Sequence, residues 1–199
     1  MNTACSRRTP SLPLILLVLL GVAWPLPAGA ARPKPRIDEL HARWDQDRAL
    51  VSFQLSNALT AETLERIHSG IPVTFRYRVD LLAPRGFRMI PPKRLARTLV
   101  QTSVEYDALT RRYALLRTLE VKSRRKRDDA DPTEQRRSTG SHEEMRVWMT
   151  ELTDIVLLDP KPQQSRELRI RVESALGRRY QFLIFPTTVG AAAELMLER

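Results

Sequence analysis

The feature that most constrains this chain is the run Val73-Thr74-Phe75-Arg76-Tyr77-Arg78-Val79-Asp80-Leu81, in which every second side chain is apolar and those between are polar or charged. Successive side chains of a strand point to opposite faces, so the pattern buries one face and wets the other. One-sided burial is the habit of antiparallel sheets, whereas parallel sheets are covered on both faces and read as continuous apolar runs. The chain must therefore fold around a sheet with one dry side.

The same period of two recurs elsewhere. Val51, Phe53 and Leu55 alternate with Ser52 and Gln54, Val100, Val104 and Tyr106 mark inward positions of an extended stretch from Leu95 to Tyr106, and Leu168, Ile170 and Val172 alternate with Glu167, Arg169, Arg171 and Glu173. Asp45-Gln46-Asp47 joins Ile37–Trp44 to Leu50–Leu55 as a hairpin, and Asp107-Ala108-Leu109-Thr110 connects the Leu95–Tyr106 stretch to Arg111–Arg117. Short strands are also expected at Ile155–Leu158 and Tyr180–Phe185. Two helices interrupt the pattern. Ala58–His68 carries Leu59, Leu64 and Ile67 on one side and ends at Gly70 in a left-handed cap. The other opens at Ser141, with Glu144 three residues on as a capping box requires, and Met145, Trp148, Met149 and Leu152 on its apolar side. About eight strands and two helices without strand-helix-strand alternation predict a mainly β fold, an antiparallel sandwich or open barrel with two short flanking helices.

The ends and one internal segment have a different character. Arg7 and Arg8, the apolar run Leu12–Ala23 and the small residues Ala28-Gly29-Ala30 read as a secretory signal peptide over residues 1–30. That run is shorter than the roughly 20 apolar residues a bilayer-spanning helix needs, so an uncleaved anchor is the weaker reading. Residues 31–36 form an extended lead-in, 37–186 a single β-rich domain, and 187–199 a tail with helical potential from Ala191. Residues 122–140 hold eleven charged side chains and nothing larger than Ala130 to bury, which predicts an exposed, disordered insertion.

Composition then sets limits on function. The 199 residues are 42% hydrophobic with seven glycines, which excludes a wholly disordered or collagen-like chain, and the mean hydropathy of -0.34 excludes a polytopic membrane protein. Cys5 is the only cysteine and leaves with the signal, so the mature protein has no disulfide, thiolate zinc site or cysteine nucleophile. The net charge of +10 falls to +8 when the signal removes its two arginines. For an exported chain such a surface meets anionic lipid headgroups, cell-wall polymers or acidic envelope proteins rather than nucleic acid.

The stretch L-S-x-x-L at Leu55–Leu59, then G-I-P-V-T-F-x-Y-x-V-x-L-x-x-P-R from Gly70 to Arg85, and Y-D-A-L-T-R-R-Y at Tyr106–Tyr113 resemble the bacterial domain-of-unknown-function family 4390. The helix opened by Ser141 and the strand near Leu168 follow in that family's order, so the similarity covers most of residues 37–185. The resemblance implies a small exported protein with no assigned activity, and a place near a two-component sensor kinase for some members. It carries over no catalytic residues. The chain departs from the pattern in the charged stretch 122–140 and in its final strand region.

No catalytic constellation emerges from the residues themselves. His41, His68 and His142 show no H-E-x-x-H or paired spacing, and Ser141-His142-Glu143 is explained by helix capping, since a triad is assembled in space rather than along a helix start. Neither a metal nor an organic cofactor is expected. Tyr106 and Tyr113 read as core anchors rather than ligand-stacking rings, and Lys122–Arg127 as a surface linker. The sharpest candidate is a row of arginines, Arg76, Arg78, Arg97, Arg112, Arg117, Arg169 and Arg171, placed opposite the apolar face on several strands. If those strands are neighbours, their guanidinium groups suit phosphate or carboxylate. The plainer reading is a solvated face neutralised by Asp80, Glu167 and Glu173. The function expected is an exported, periplasmic or envelope-associated binding or accessory module that is not an enzyme. A small hydrolase is the rival reading. A membrane-anchored, sensor-associated form is a third, distinguished by whether the isolated protein begins at Ala31.

Overall fold

The computed structural model describes residues 33–45, 48–84, 91–123, 131–158, 167–176, 178–181 and 185–198. The expected signal segment at 1–30 lies outside them.

Eleven strands and two helices follow in the described chain: β1 (Arg36–Asp45), β2 (Arg48–Ser56), α1 (Ala61–His68), β3 (Val73–Ala83), β4 (Lys93–Asp107), β5 (Arg112–Ser123), β6 (Thr133–Thr139), α2 (His142–Thr150), β7 (Glu151–Leu158), β8 (Glu167–Ala175), β9 (Arg178–Gln181), β10 (Phe185–Thr188) and β11 (Ala192–Glu198). They build a three-stranded sheet in the order β1-β2-β7, a six-stranded sheet in the order β11-β8-β3-β4-β5-β6, and a β9-β10 pair. Every pairing is antiparallel. The architecture is a β-sandwich and not a closed barrel.

The alternating side chains meet between the two sheets. Phe75, Tyr77, Val79 and Leu81 of β3, Val100 and Val104 of β4, and Leu168, Ile170 and Val172 of β8 are buried against Val51, Phe53 and Leu55 of β2 and Leu152, Ile155 and Leu157 of β7. The rings of Phe53 and Tyr77 touch at 5.6 Å between centroids. Two strands switch parity on the way. In β1 the apolar positions move from Ile37 to Leu40, Ala42 and Trp44, and in β7 from Leu152 to Ile155 and Leu157. Each switch sits at a break in register beside a non-glycine residue with positive φ, Glu39 (51°) and Asp154 (52°). The extra residue of a β-bulge keeps both halves of the strand facing inward.

The helices end and begin at Gly70 and Ser141 as expected, but α1 starts at Ala61 rather than Ala58, and Leu152, expected on the apolar side of α2, belongs to β7 because the helix stops at Thr150. Thr60 and Ser141 accept from the backbone amides of Thr63 and Glu144. Gly70, at φ 74°, closes α1 with Gly70 N–H on the Ile67 carbonyl and Ile71 N–H on that of Arg66, the two bonds of a Schellman motif.

Three further expectations are corrected. Within the segment read as an insertion, residues 133–139 form β6, which pairs with β5 from Thr133 opposite Leu119 to Thr139 opposite Tyr113. Residues 124–130 lie outside the described ones. An edge strand needs only one dry neighbour, and charges along it discourage pairing with other chains, so its composition reads like a loop. The stretch taken as a tail with helical potential holds β11, hydrogen-bonded to β8 from Ala192 opposite Glu173 to Glu198 opposite Glu167. The domain therefore extends past residue 186. Just before β11, Gly190 lies so close to β8 that a Cβ there would strike the Ser174 carbonyl oxygen. Finally, the single strand expected at Tyr180–Phe185 is two, with Tyr180 of β9 opposite Pro186 of β10.

Candidate functional site

Buried positions of β3 alternate with a second set, Arg76, Arg78 and Asp80, that points away from the core, and the sheet register extends each of them into a row. Arg76 lies between Gln101 of β4 and Ala175 of β8, with Thr118 of β5 beyond Gln101. Arg78 lies between Leu99 and Glu173, with Glu120 beyond Leu99, and Asp80 between Arg97 and Arg171, with Lys122 beyond Arg97. The first two rows border a concavity of about 560 Å³ on this outer face. Its volume falls in the range of small-molecule sites, roughly 300–1,000 Å³.

Most charges in these rows are already matched. Asp80 is 5% exposed. It takes a bidentate pair from Arg97, at 2.6 Å from Nε and 2.8 Å from Nη2, while Arg78 Nε stands 3.8 Å away. The carboxylate hydrogen bond raises the Arg97 pKa above its ordinary value, outweighing partial burial. Arg78 forms an ion pair with Glu173, Arg171 Nε is 2.6 Å from Glu194, and Lys122 is 3.1 Å from Glu120. Of the acids expected to neutralise the face, Asp80 and Glu173 do so. Glu194 joins them from β11, and the side chain of Glu167 lies outside the described residues. Among the described residues Arg76 and Arg169 make no ion pair, and both are exposed.

Five of the seven arginines therefore occupy adjoining positions of the outer face: Arg76, Arg78, Arg97, Arg169 and Arg171. Arg112 shares the face but sits at the β4–β5 hairpin, opposite Asp107, where it donates to the hydroxyl and carbonyl oxygens of Ser138 at 3.0 and 3.1 Å. Arg117 is a correction, because it points to the opposite side of the sheet. Its parity is that of Tyr113 and Leu115, and its guanidinium donates to the carbonyls of Trp148 at 2.6 Å and Glu151 at 3.2 Å while lying 4.4 Å over the Trp148 ring. Burial lowers its pKa from the usual arginine value. Arg117 caps the end of α2 rather than meeting a ligand.

Gln101, Thr118 and Leu99 were not singled out from the sequence, although all three line the concavity. Only the pairing register, which carries Arg76 across to Gln101 and Thr118, brings them together. Among the described residues no group of three or more His, Cys, Asp or Glu side chains is placed to hold a metal ion, and no helix is long and apolar enough to cross a membrane.

No curated protein and no solved structure matches the chain. Residues 32–178 match the family described as Domain of unknown function (DUF4390), and the chain belongs to that family.

Proposed function

We propose that this protein is an exported, non-catalytic binding or accessory module of the cell envelope, and that it receives an anionic group of its partner in the concavity on the outer face of the six-stranded sheet. Export rests on the N-terminal pattern of Arg7-Arg8, the apolar run and Ala28-Gly29-Ala30. The observation that carries the binding reading is the contrast within one arginine cluster. Arg78, Arg97 and Arg171 are held by carboxylates, whereas Arg76, at the rim of the concavity, has no ion-pair partner among the described residues. Beside it, the Gln101 amide and Thr118 hydroxyl offer further hydrogen bonds, and Leu99 and Ala175 offer apolar contact. A carboxylate or phosphate group suits that set, since a guanidinium binds either by two parallel N–H donors.

The same contrast favours binding over hydrolysis. The two carboxylates lining the concavity, Glu120 and Glu173, are each engaged by a cation, Lys122 and Arg78. A carboxylate ion-paired to a neighbouring cation is a poorer general base or nucleophile than a free one.

Binding to phosphatidylglycerol vesicles, and separately to a soluble peptidoglycan fragment with free carboxylates, tests the proposal. Arg76→Gln is expected to weaken binding to one of these probes about tenfold, in line with the loss of a charge-assisted hydrogen bond. Arg169→Gln has a smaller effect, and both variants keep the wild-type melting temperature because neither side chain supports the core. Equal binding by wild type and Arg76→Gln overturns the proposal.

A further inference from the structure

Glu105 of β4, like Arg76 of β3, makes no ion pair among the described residues, and both side chains are exposed. The sheet register sets these two charges at opposite ends of one trough on the outer face. Arg76 lies opposite Gln101, and Glu105 stands two outward positions further along β4, past Ser103. Four residues of strand and one step between strands separate their Cα atoms by about 14 Å. The floor between them is neutral, with Thr118, Leu116 and Ala114 of β5 opposite Gln101, Ser103 and Glu105. Where the concavity at Arg76 ends, with Gln101 and Thr118, a second one of about 290 Å³ begins at Ser103 and Leu116 and extends over Glu105, Ala114 and Pro72. Arg136 of β6, opposite Leu116, borders it but is engaged by Glu134 at 3.1 Å, and Arg112, one row past Glu105, is turned to Ser138.

We infer that this trough takes a short linear peptide in extended form, its terminal carboxylate on Arg76 and its terminal ammonium on Glu105. The inference rests on the anion-binding reading of the Arg76 concavity and adds the rest of the ligand. An extended chain spans at most about 3.3–3.6 Å per residue, so about four residues bridge the two charges. A guanidinium holds a carboxylate by two parallel N–H donors, and an ammonium group donates to a carboxylate in a bond of the same charge-assisted kind. Between the ends, the Gln101 amide and the Ser103 and Thr118 hydroxyls meet the peptide's backbone groups, while Leu116 and Ala114 support small apolar side chains. The charge pattern favours this ligand over a lipid. An acyl chain leading from a headgroup on Arg76 would finish against the Glu105 carboxylate, which offers it no contact that it does not find better elsewhere, whereas an ammonium is attracted there.

The test is calorimetric titration of the full-length protein with tetra-alanine, with its N-acetylated form and with its C-terminal amide. Either blocked form is expected to bind the wild type about tenfold more weakly, the loss of one charge-assisted hydrogen bond. Glu105→Gln is expected to abolish the penalty for acetylation and to keep that for amidation, and Arg76→Gln does the reverse. Dialanine, too short to reach both charges, binds about tenfold more weakly than tetra-alanine. Both variants keep the wild-type melting temperature, since neither side chain is buried. No binding of tetra-alanine, or an acetylation penalty that is absent from the wild type or survives Glu105→Gln, overturns the inference. An amidation penalty that still depends on Arg76 then leaves the anion-binding reading standing, and its loss overturns both.

Discussion

Truncating Tyr77 to alanine is expected to lower the unfolding free energy by about 3–5 kcal/mol, the range for removing a large aromatic from a core. Tyr77 is 1% exposed, lies against Phe53 of the facing sheet, and donates its hydroxyl to the Met149 carbonyl at 2.5 Å. The variant therefore opens a cavity between the sheets and removes a donor from a buried backbone oxygen. Tyr77→Phe separates the two effects, since it keeps the ring and loses only the hydrogen bond, for about 1–3 kcal/mol. It also predicts a pH signature. Burial raises the Tyr77 pKa far above its ordinary value, more than the Thr102 and Arg117 contributions lower it. The folded state thus keeps the phenol protonated where the unfolded chain ionises. Stability is fully present below about pH 10 and falls as the pH rises beyond it, by up to about 1.4 kcal/mol per unit. Urea unfolding of wild type and Tyr77→Phe between pH 8 and 11.5 (on the order of the tyrosine range) should show a steeper alkaline decline in the wild type.

Arg117→Met is the second large effect, with an expected loss of about 2–4 kcal/mol. The chain passes from α2 into β7 without a connecting residue, so the carbonyls ending the helix need donors from outside it, and their hydrogen bonds are buried at Met149 and half-buried at Trp148 and Glu151. Three neighbouring strands supply the missing donors from the inner face of the six-stranded sheet. The Met149 carbonyl accepts from Tyr77 of β3 and at 3.5 Å from Thr102 of β4, while those of Trp148 and Glu151 accept from Arg117 of β5. A cation at the helix C-terminus also complements the helix dipole. Methionine fills the space but leaves two half-buried oxygens without their donor and removes the charge above Trp148. Unfolding free energies of Arg117→Met and Arg76→Gln measured side by side should differ by this amount, although both arginines belong to the row that the sequence places on one surface. Equal values would contradict the assigned orientation of Arg117.

At Arg117 two signals in the sequence conflict. Tyr113, Leu115, Arg117, Leu119 and Val121 share one parity, and parity alone puts Arg117 on the dry side. Its charge argued for the wet side, and the helix end it serves was not visible without tertiary structure. The hairpins and the β3 alternation were legible because one buried face imposes a period of two. The bulges at Glu39 and Asp154 disturb that period without hiding it. β11 was less legible because Ala, Glu, Leu and Met favour helices, although Ala193, Leu195 and Leu197 alternate with Glu194 and Met196. For β6 the sequence had little to offer. Its residues are exposed up to Thr139, and its place comes from the backbone donors and acceptors that β5 presents. The candidate site was half legible. The arginines could be named from strand parity, but their partners Glu173, Asp80 and Glu194 depend on which strand neighbours which. So does the difference between committed Arg78 and uncommitted Arg76.

The buried donors and the outer rows together describe a division of labour between the faces of one sheet. Tyr77, Thr102 and Arg117 hold the helix-to-strand junction inside, while residues one position away in β3, Arg76 and Arg78, meet solvent. Backbone amide resonances followed by nuclear magnetic resonance during titration with whichever anionic probe binds test this assignment most directly. The account predicts shifts centred on Arg76, Gln101, Thr118 and Ala175, with the amides of α2 and of Trp148–Glu151 unmoved. Shifts centred on the helices or on the three-stranded sheet, with the outer rows of β3, β4 and β8 silent, would contradict it.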